Sequence, residues 1–235
     1  MALILSELKL PLTAEESSLK EFAARALAMP GSAIHTLRVN RISLDARKKE
    51  DICFTYTVTV GLSEKDEARV LRRSGIRIAR APEESPRQLS FGSEPLKAPI
   101  VVVGLGPAGL FAAYQLAKNG YRPLVLERGR EVDARKTDVA RFWKTGVLDE
   151  ASNAVFGEGG AGTFSDGKLT TRIKDSRAQE VVSIFAEYGA PEEIKTMAKP
   201  HIGTDKLVQV VKNLRLGILR MGGEVRFQTH LVGFE

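Results

Sequence analysis

The chain has 235 residues, 43% of them hydrophobic and 27% charged, which excludes a wholly disordered protein and supplies enough apolar material for one large core or two modest ones. Its net charge of +6 divides evenly between residues 1–99 and 100–235, so the pI near 9.5 marks no basic patch and gives little support to a nucleic-acid or anionic-membrane partner. The single cysteine, Cys53, excludes an internal disulfide, a CxxC redox pair and a cysteine-based zinc cage, and it fits a reducing, cytoplasmic setting.

Met1-Ala-Leu-Ile-Leu-Ser-Glu has neither the basic start nor the long apolar run of a signal peptide, so export is not expected. The apolar stretch Ala2–Leu10 reads as a strand. Thr13-Ala-Glu-Glu16 has the spacing of a capping box, and Leu19, Phe22, Ala23, Ala26 and Leu27 then recur at helical spacing until Pro30-Gly31. Two paired strands follow at Ile34–Leu44 and Ile52–Val60, the second alternating apolar residues with Cys53, Thr55, Thr57 and Thr59. The Arg47-Lys48-Lys49 run falls at the tip between them, as a solvated hairpin would. Residues 1–80 therefore form a small α+β accessory domain, and the proline-rich stretch 81–99 is a linker.

Beyond the linker, Ala98–Ala117 runs for twenty residues without a charge, about the length that spans a bilayer. Three glycines and a proline inside it punctuate a strand-to-helix turn instead. The expected order is strand Ile100–Val103, a glycine turn, a helix from Ala108 to Asn119, Gly120 as its stop, and strand Arg122–Leu126. Helices are expected near Asp133–Thr145, Arg177–Tyr188 and Asp205–Met221, with a closing strand at Glu224–Phe234. The fold class is α/β for residues 100–235.

Gly104-Leu-Gly-Pro-Ala-Gly109 matches GxGxxG directly after four β-formers and at a helix start, which is the context a dinucleotide site requires. Gly104 permits the tight turn, Gly106 lets backbone approach a pyrophosphate, and Gly109 lets helix and strand lie close. The anion would meet helix-terminal N–H groups and the positive end of the helix dipole, without needing a lysine. Pro107 and Ala108 lie in the same turn. Glu127, at the end of the next strand with Arg128 beside it, is placed to accept hydrogen bonds from a ribose diol and disfavours a 2′-phosphate.

The string Val101-Val-Val-Gly-Leu-Gly-Pro-Ala-Gly-Leu110, followed by Leu126-Glu-Arg-Gly129, resembles the FAD-binding start of glutathione-reductase-like flavoproteins. Phe156-Gly-Glu-Gly-Gly-Ala-Gly-Thr-Phe-Ser-Asp-Gly-Lys-Leu169 resembles a segment of the bacterial family of uncharacterised FAD-dependent dehydrogenases, whose members carry an extra N-terminal domain. That resemblance implies a Rossmann-like FAD-binding domain in residues 100–235. It implies that Gly104, Gly106 and Gly109 hold the diphosphate and that Glu127 holds the adenosine ribose. It also implies that Gly159, Gly160, Ala161, Gly162, Thr163 and Ser165 lie near the pyrophosphate and isoalloxazine, and that Leu231 meets the adenine edge through its main chain. The glycines of the second loop would remove side chains where main-chain N–H groups meet a flat ring or a phosphate. The resemblance further implies a dehydrogenase-type oxidoreductase, with NAD(P)H a candidate electron donor. Such flavoproteins continue with further strands and a Gly-Asp motif that this sequence lacks, so the FAD domain reads as truncated.

Rival readings are a non-catalytic dinucleotide-binding or interaction module and an NAD(H)-binding protein. Gly162-Thr-Phe-Ser-Asp-Gly-Lys168 has GxxxxGK spacing, but Leu169 stands where a magnesium-binding hydroxyl belongs and no buried strand precedes it. His35, His201 and His230 belong to no catalytic pattern, His201 reading as a loop residue before a helix capped by Thr204 or Asp205. Arg135 and Lys136 read as a solvated helix face. No metal site and no catalytic base emerge, and the substrate is not recoverable.

Overall fold

Strand β1 (Ala2–Pro11) buries Leu3 and Leu5 and then, after a bulge, Leu8 and Leu10. The bulge falls at Ser6-Glu7, where Glu7 takes φ 61 and the pairing register shifts, so the inward face passes from odd to even positions without leaving the core. Strands β2 (Thr36–Asp45) and β3 (Cys53–Gly61) form an antiparallel hairpin, and β3 pairs on its other side with β1. Two further elements complete this layer, α2 (Glu64–Leu71), capped by the Ser63 hydroxyl, and β4 (Ile78–Arg80). Neither is among the sequence expectations. The sheet order is β2-β3-β1-β4, and α1 (Leu19–Leu27) packs Leu19, Ala23, Ala24 and Leu27 against it.

The expected capping box does not form. Ala14 N–H donates to the Pro11 carbonyl, so Thr13 is spent in the turn leaving β1, and a 3-10 turn at Glu16–Ser18 precedes the helix. The helix ends in a left-handed Ala28 before Pro30 is reached.

The computed structural model describes residues 2–72, 77–82, 89–171, 173 and 175–235. Part of the proposed linker, residues 83–88, lies outside the described residues. The chain divides into two units, Met1–Ser90 with Lys195–Pro200, and Phe91–Ile194 with His201–Glu235. The short return segment belongs to the first unit because it extends that sheet beyond β2: Ile42 N–H donates to Thr196 O at 2.7 Å, and Ala198 N–H to Ile42 O at 2.8 Å.

The second unit is a parallel sheet in the order β5 (Val101–Val103), β6 (Leu124–Leu126), β7 (Glu224–Arg226). Helix α3 (Pro107–Lys118) links β5 to β6, giving the βαβ unit that the glycine turn predicts. Helices α4 (Val132–Thr145), α5 (Arg177–Glu187) and α6 (Thr204–Arg220) follow at the expected places. Leu110, Ala113 and Tyr114 of α3 join Val125, Ile184, Val210, Leu214 and Ile218 in one core. The last strand is much shorter than the expected Glu224–Phe234. After Arg226 the backbone turns, Gln228 at φ 52, and the N–H groups of Gln228 and Thr229 donate to Gly129 O and Glu127 O. None of the described helices is long and apolar enough to cross a membrane.

Candidate functional site

The site is built where β5 hands over to α3. Gly106 caps the helix in an extended conformation and Pro107 opens it, a position where a missing N–H costs no helical bond. The first-turn amides of α3 have no partners within the helix and concentrate its positive dipole end there. Gly109 is set by close packing: a Cβ on it would strike the Gly104 carbonyl oxygen, so α3 can approach the turn only with hydrogen at that position.

Glu127 closes the turn from β6. It is 4% exposed, and each carboxylate oxygen accepts a backbone N–H, Oε2 from Leu105 at 2.6 Å and Oε1 from Gly129 at 2.8 Å. A carboxylate offers about four lone-pair directions, so these two bonds leave acceptor capacity for a ribose diol. Glu127 therefore shapes the glycine turn as well as lining the adjoining cleft.

That cleft, of about 360 Å³, is lined by Gly104, Gly106, Glu127 and Arg128 together with Phe156, Gly157, Gly160 and residues 229–231. The structure thus brings the first motif, the acid, part of the second glycine segment and Leu231 to one place. Gly160 lies directly beside the α3 start, where a Cβ on it would meet Pro107 Cδ at 3.1 Å and Gly106 Cα at 3.2 Å. The guanidinium of Arg128 stacks 4.0 Å over the Phe156 ring and donates to Glu150 O. A larger hollow of about 610 Å³ on the first unit, floored by hydroxyls such as Thr55 and Thr57, has no glycine turn.

The rest of the second glycine segment is placed differently. Ala161–Phe164 form a 3-10 turn, in which Ala161 and Gly162 are exposed while Thr163 is buried with its hydroxyl against Gly159. The Ser165 hydroxyl donates to Gly162 O within its own turn, at 2.7 Å. Gly159 donates its N–H to Leu105 O at 2.7 Å and so ties this segment to the first motif. Lys168 of the rival GxxxxGK spacing pairs in a bridge with His201, and its ammonium meets Asp166. The helix after His201 is capped by Gly203 rather than Thr204 or Asp205. Among the described residues no cluster of three or more His, Cys, Asp or Glu could hold a metal ion.

Beneath the cleft lies a buried ionic framework that sequence reasoning missed. Arg135, expected on a solvated helix face, is 0% exposed. Its Nε, Nη1 and Nη2 donate to the carbonyls of Asn153, Glu158 and Ala154 at 2.8, 2.6 and 3.0 Å. Burial lowers its pKa to about 10, opposed by the nearby Glu127 and Glu158 carboxylates, so it stays charged at neutral pH. Glu158 is also fully buried, accepting from Val132 N–H and from Arg215 Nε, each at 2.7 Å, and burial pushes its carboxyl up against the pull of Arg215. Asp138 accepts from Arg130 and from the Ser152 hydroxyl. The only local signal was the density of Arg, Asp and Glu around 127–158. Their burial depends on partners far away in sequence.

Comparison with known proteins agrees with this architecture. Residues 102–157 match the family of NAD(P)-binding Rossmann-like domains, and the parallel sheet and helices of the second unit are consistent with a domain of that kind. Residues 3–61 match a domain of unknown function, DUF8436. The chain is similar to an uncharacterized protein of Clostridium beijerinckii, 45% identical over 231 residues, which is 98% of this chain and 43% of that protein. It is also similar to the thiamine thiazole synthase of Thermotoga maritima, 42% identical over 53 residues, which is 23% of this chain and 19% of that enzyme. The chain therefore spans less than half the length of the curated relatives it matches.

Proposed function

We propose that the second unit binds FAD and serves a dehydrogenase-type flavin oxidoreductase of cytoplasmic location. The observation that carries this reading is the convergence of the Gly104–Gly109 turn, Glu127 and Gly160 on one cleft at the start of α3. The fit is chemical. Small residues on both walls leave room for a diphosphate against backbone amides, and Glu127 keeps acceptor capacity for ribose hydroxyls. A bound flavin supplies the hydride- or electron-accepting chemistry, and the protein supplies placement and electrostatics. Gly104, Gly106, Pro107, Ala108 and Gly109 hold the diphosphate, Glu127 orients the ribose beside Arg128, and the main chain at Leu231 meets the adenine edge. The stretch Gly159–Ser165 contributes through Gly160. NAD(P)H is the candidate electron donor. We also propose residues 1–80 as an accessory domain, 81–99 as a linker and 100–235 as the FAD domain.

A second reading has NAD(H) as the first ligand, and the description of the family matching residues 102–157 favours it. One experiment separates the two. Protein mixed with excess FAD is passed through gel filtration, with a parallel titration by NAD. Flavin absorbance comigrating with protein is the expected result, whereas a colourless protein that binds NAD overturns the FAD assignment.

A further inference from the structure

The loop 153–160 forms one wall of the cleft, yet it has no regular secondary structure and four glycines lie within residues 157–162. Such a segment is held only by what its backbone bonds to. Arg135 supplies three of those bonds from one side chain. Its fork takes the carbonyls of Asn153, Ala154 and Glu158 at once, which fixes both ends of the tight segment preceding Gly159. The fit around it is close: Gly157 takes φ 119, and a Cβ there would lie 2.6 Å from Arg135 Cδ. Gly157 also packs on Gly129, where a Cβ would lie 2.5 Å from Gly157 Cα. Glu158 N–H donates to Arg130 O, and Gly159 N–H to Leu105 O, so the segment fixed by Arg135 is stitched both to the loop after β6 and to the glycine turn.

We infer that Arg135 is a positioning residue for the diphosphate cradle, acting through the main chain of 153–158 to set Gly157 in the cleft wall and Gly160 beside the α3 start, without touching the ligand itself. The inference rests on the dinucleotide reading of the cleft. Lysine in its place keeps the charge but cannot hold three carbonyls in the geometry of a planar fork.

The test uses the full chain with Arg135→Lys, and with Lys136→Ala on the exposed side of the same helix as control. Hydrogen exchange of the ligand-free proteins reads the loop directly. Titrations with FAD, ADP and adenosine read the cradle. The expected result for Arg135→Lys is exchange over 153–160 faster by about tenfold or more, with α6 unchanged, and FAD and ADP affinity weakened by about tenfold, as losing charge-assisted bonds implies. Adenosine, which lacks a diphosphate, should bind wild type and variant alike, and Lys136→Ala should match wild type throughout. Unchanged exchange over 153–160 overturns the inference, as does an equal loss of ADP and adenosine binding, which marks general damage. Wild type that binds ADP but takes up no FAD removes the flavin reading and leaves the positioning role to be judged on ADP.

Discussion

Glu127 ties two segments together with one side chain, because its two oxygens accept main-chain N–H groups from Leu105 in the glycine turn and from Gly129 after β6. An amide cannot do the same, since its NH₂ would face one of those donors. Glu127→Gln should therefore cost about 1–3 kcal/mol of stability, the usual penalty of leaving a buried donor unpaired, read from the midpoint of urea unfolding. Gly157 is constrained in a different way. Its φ of 119 and the Arg135 side chain against it both exclude a methyl group, so Gly157→Ala should lower stability by about 1–3 kcal/mol in the same measurement. A substitution at Gly162, where nothing lies within 4 Å of an added Cβ, should be nearly neutral.

Helix α3 is held from two sides, by its close approach to the β5 turn and by aromatic packing farther along. Tyr114 is 3% exposed and meets Tyr188 edge-to-face with centroids 5.7 Å apart. Burial pushes the Tyr114 phenol up to about 12, with Glu187 adding in the same direction. In the unfolded chain the phenol ionises near pH 10, whereas the folded state resists ionisation until about pH 12. Its contribution is therefore complete below pH 10 and lost as pH rises through 12. Tyr114→Phe should flatten the fall in the urea midpoint across that window. An equally steep fall in the variant would assign the alkaline loss to other groups.

The two units have separate cores, so unfolding should show two transitions rather than one. The return segment Lys195–Pro200 belongs to the first of them, although the chain reaches it only after α5. Ala198→Pro removes the N–H that donates to Ile42 O and should lower the first unit's stability by about 1 kcal/mol while leaving the second unit's transition in place. Differential scanning calorimetry checks this. A shift confined to the other transition would contradict the assignment of that segment.

The glycine turn, the βαβ unit and the acid at the end of β6 are legible in the amino-acid sequence alone, because each depends on residues adjacent in the chain. A turn needing close backbone approach demands glycine wherever it occurs, and helical or alternating spacing follows from local geometry. The capping box fails on equally local grounds: Thr13 is already committed to the turn that leaves β1. Other features have no local signature. Strand β7 stops early because its next amides pair with Glu127 and Gly129 on the neighbouring chain segment. Strand β4 and the return segment are defined by pairing with β1 and β2, far away in sequence. Arg135 looks like any exposed helical arginine, since a charge becomes buried only when distant residues bring its partners, here Asn153, Ala154 and Glu158, with Arg215 in turn holding Glu158. Backbone conformation is a property of neighbours in the chain, whereas the burial of charge belongs to neighbours in space.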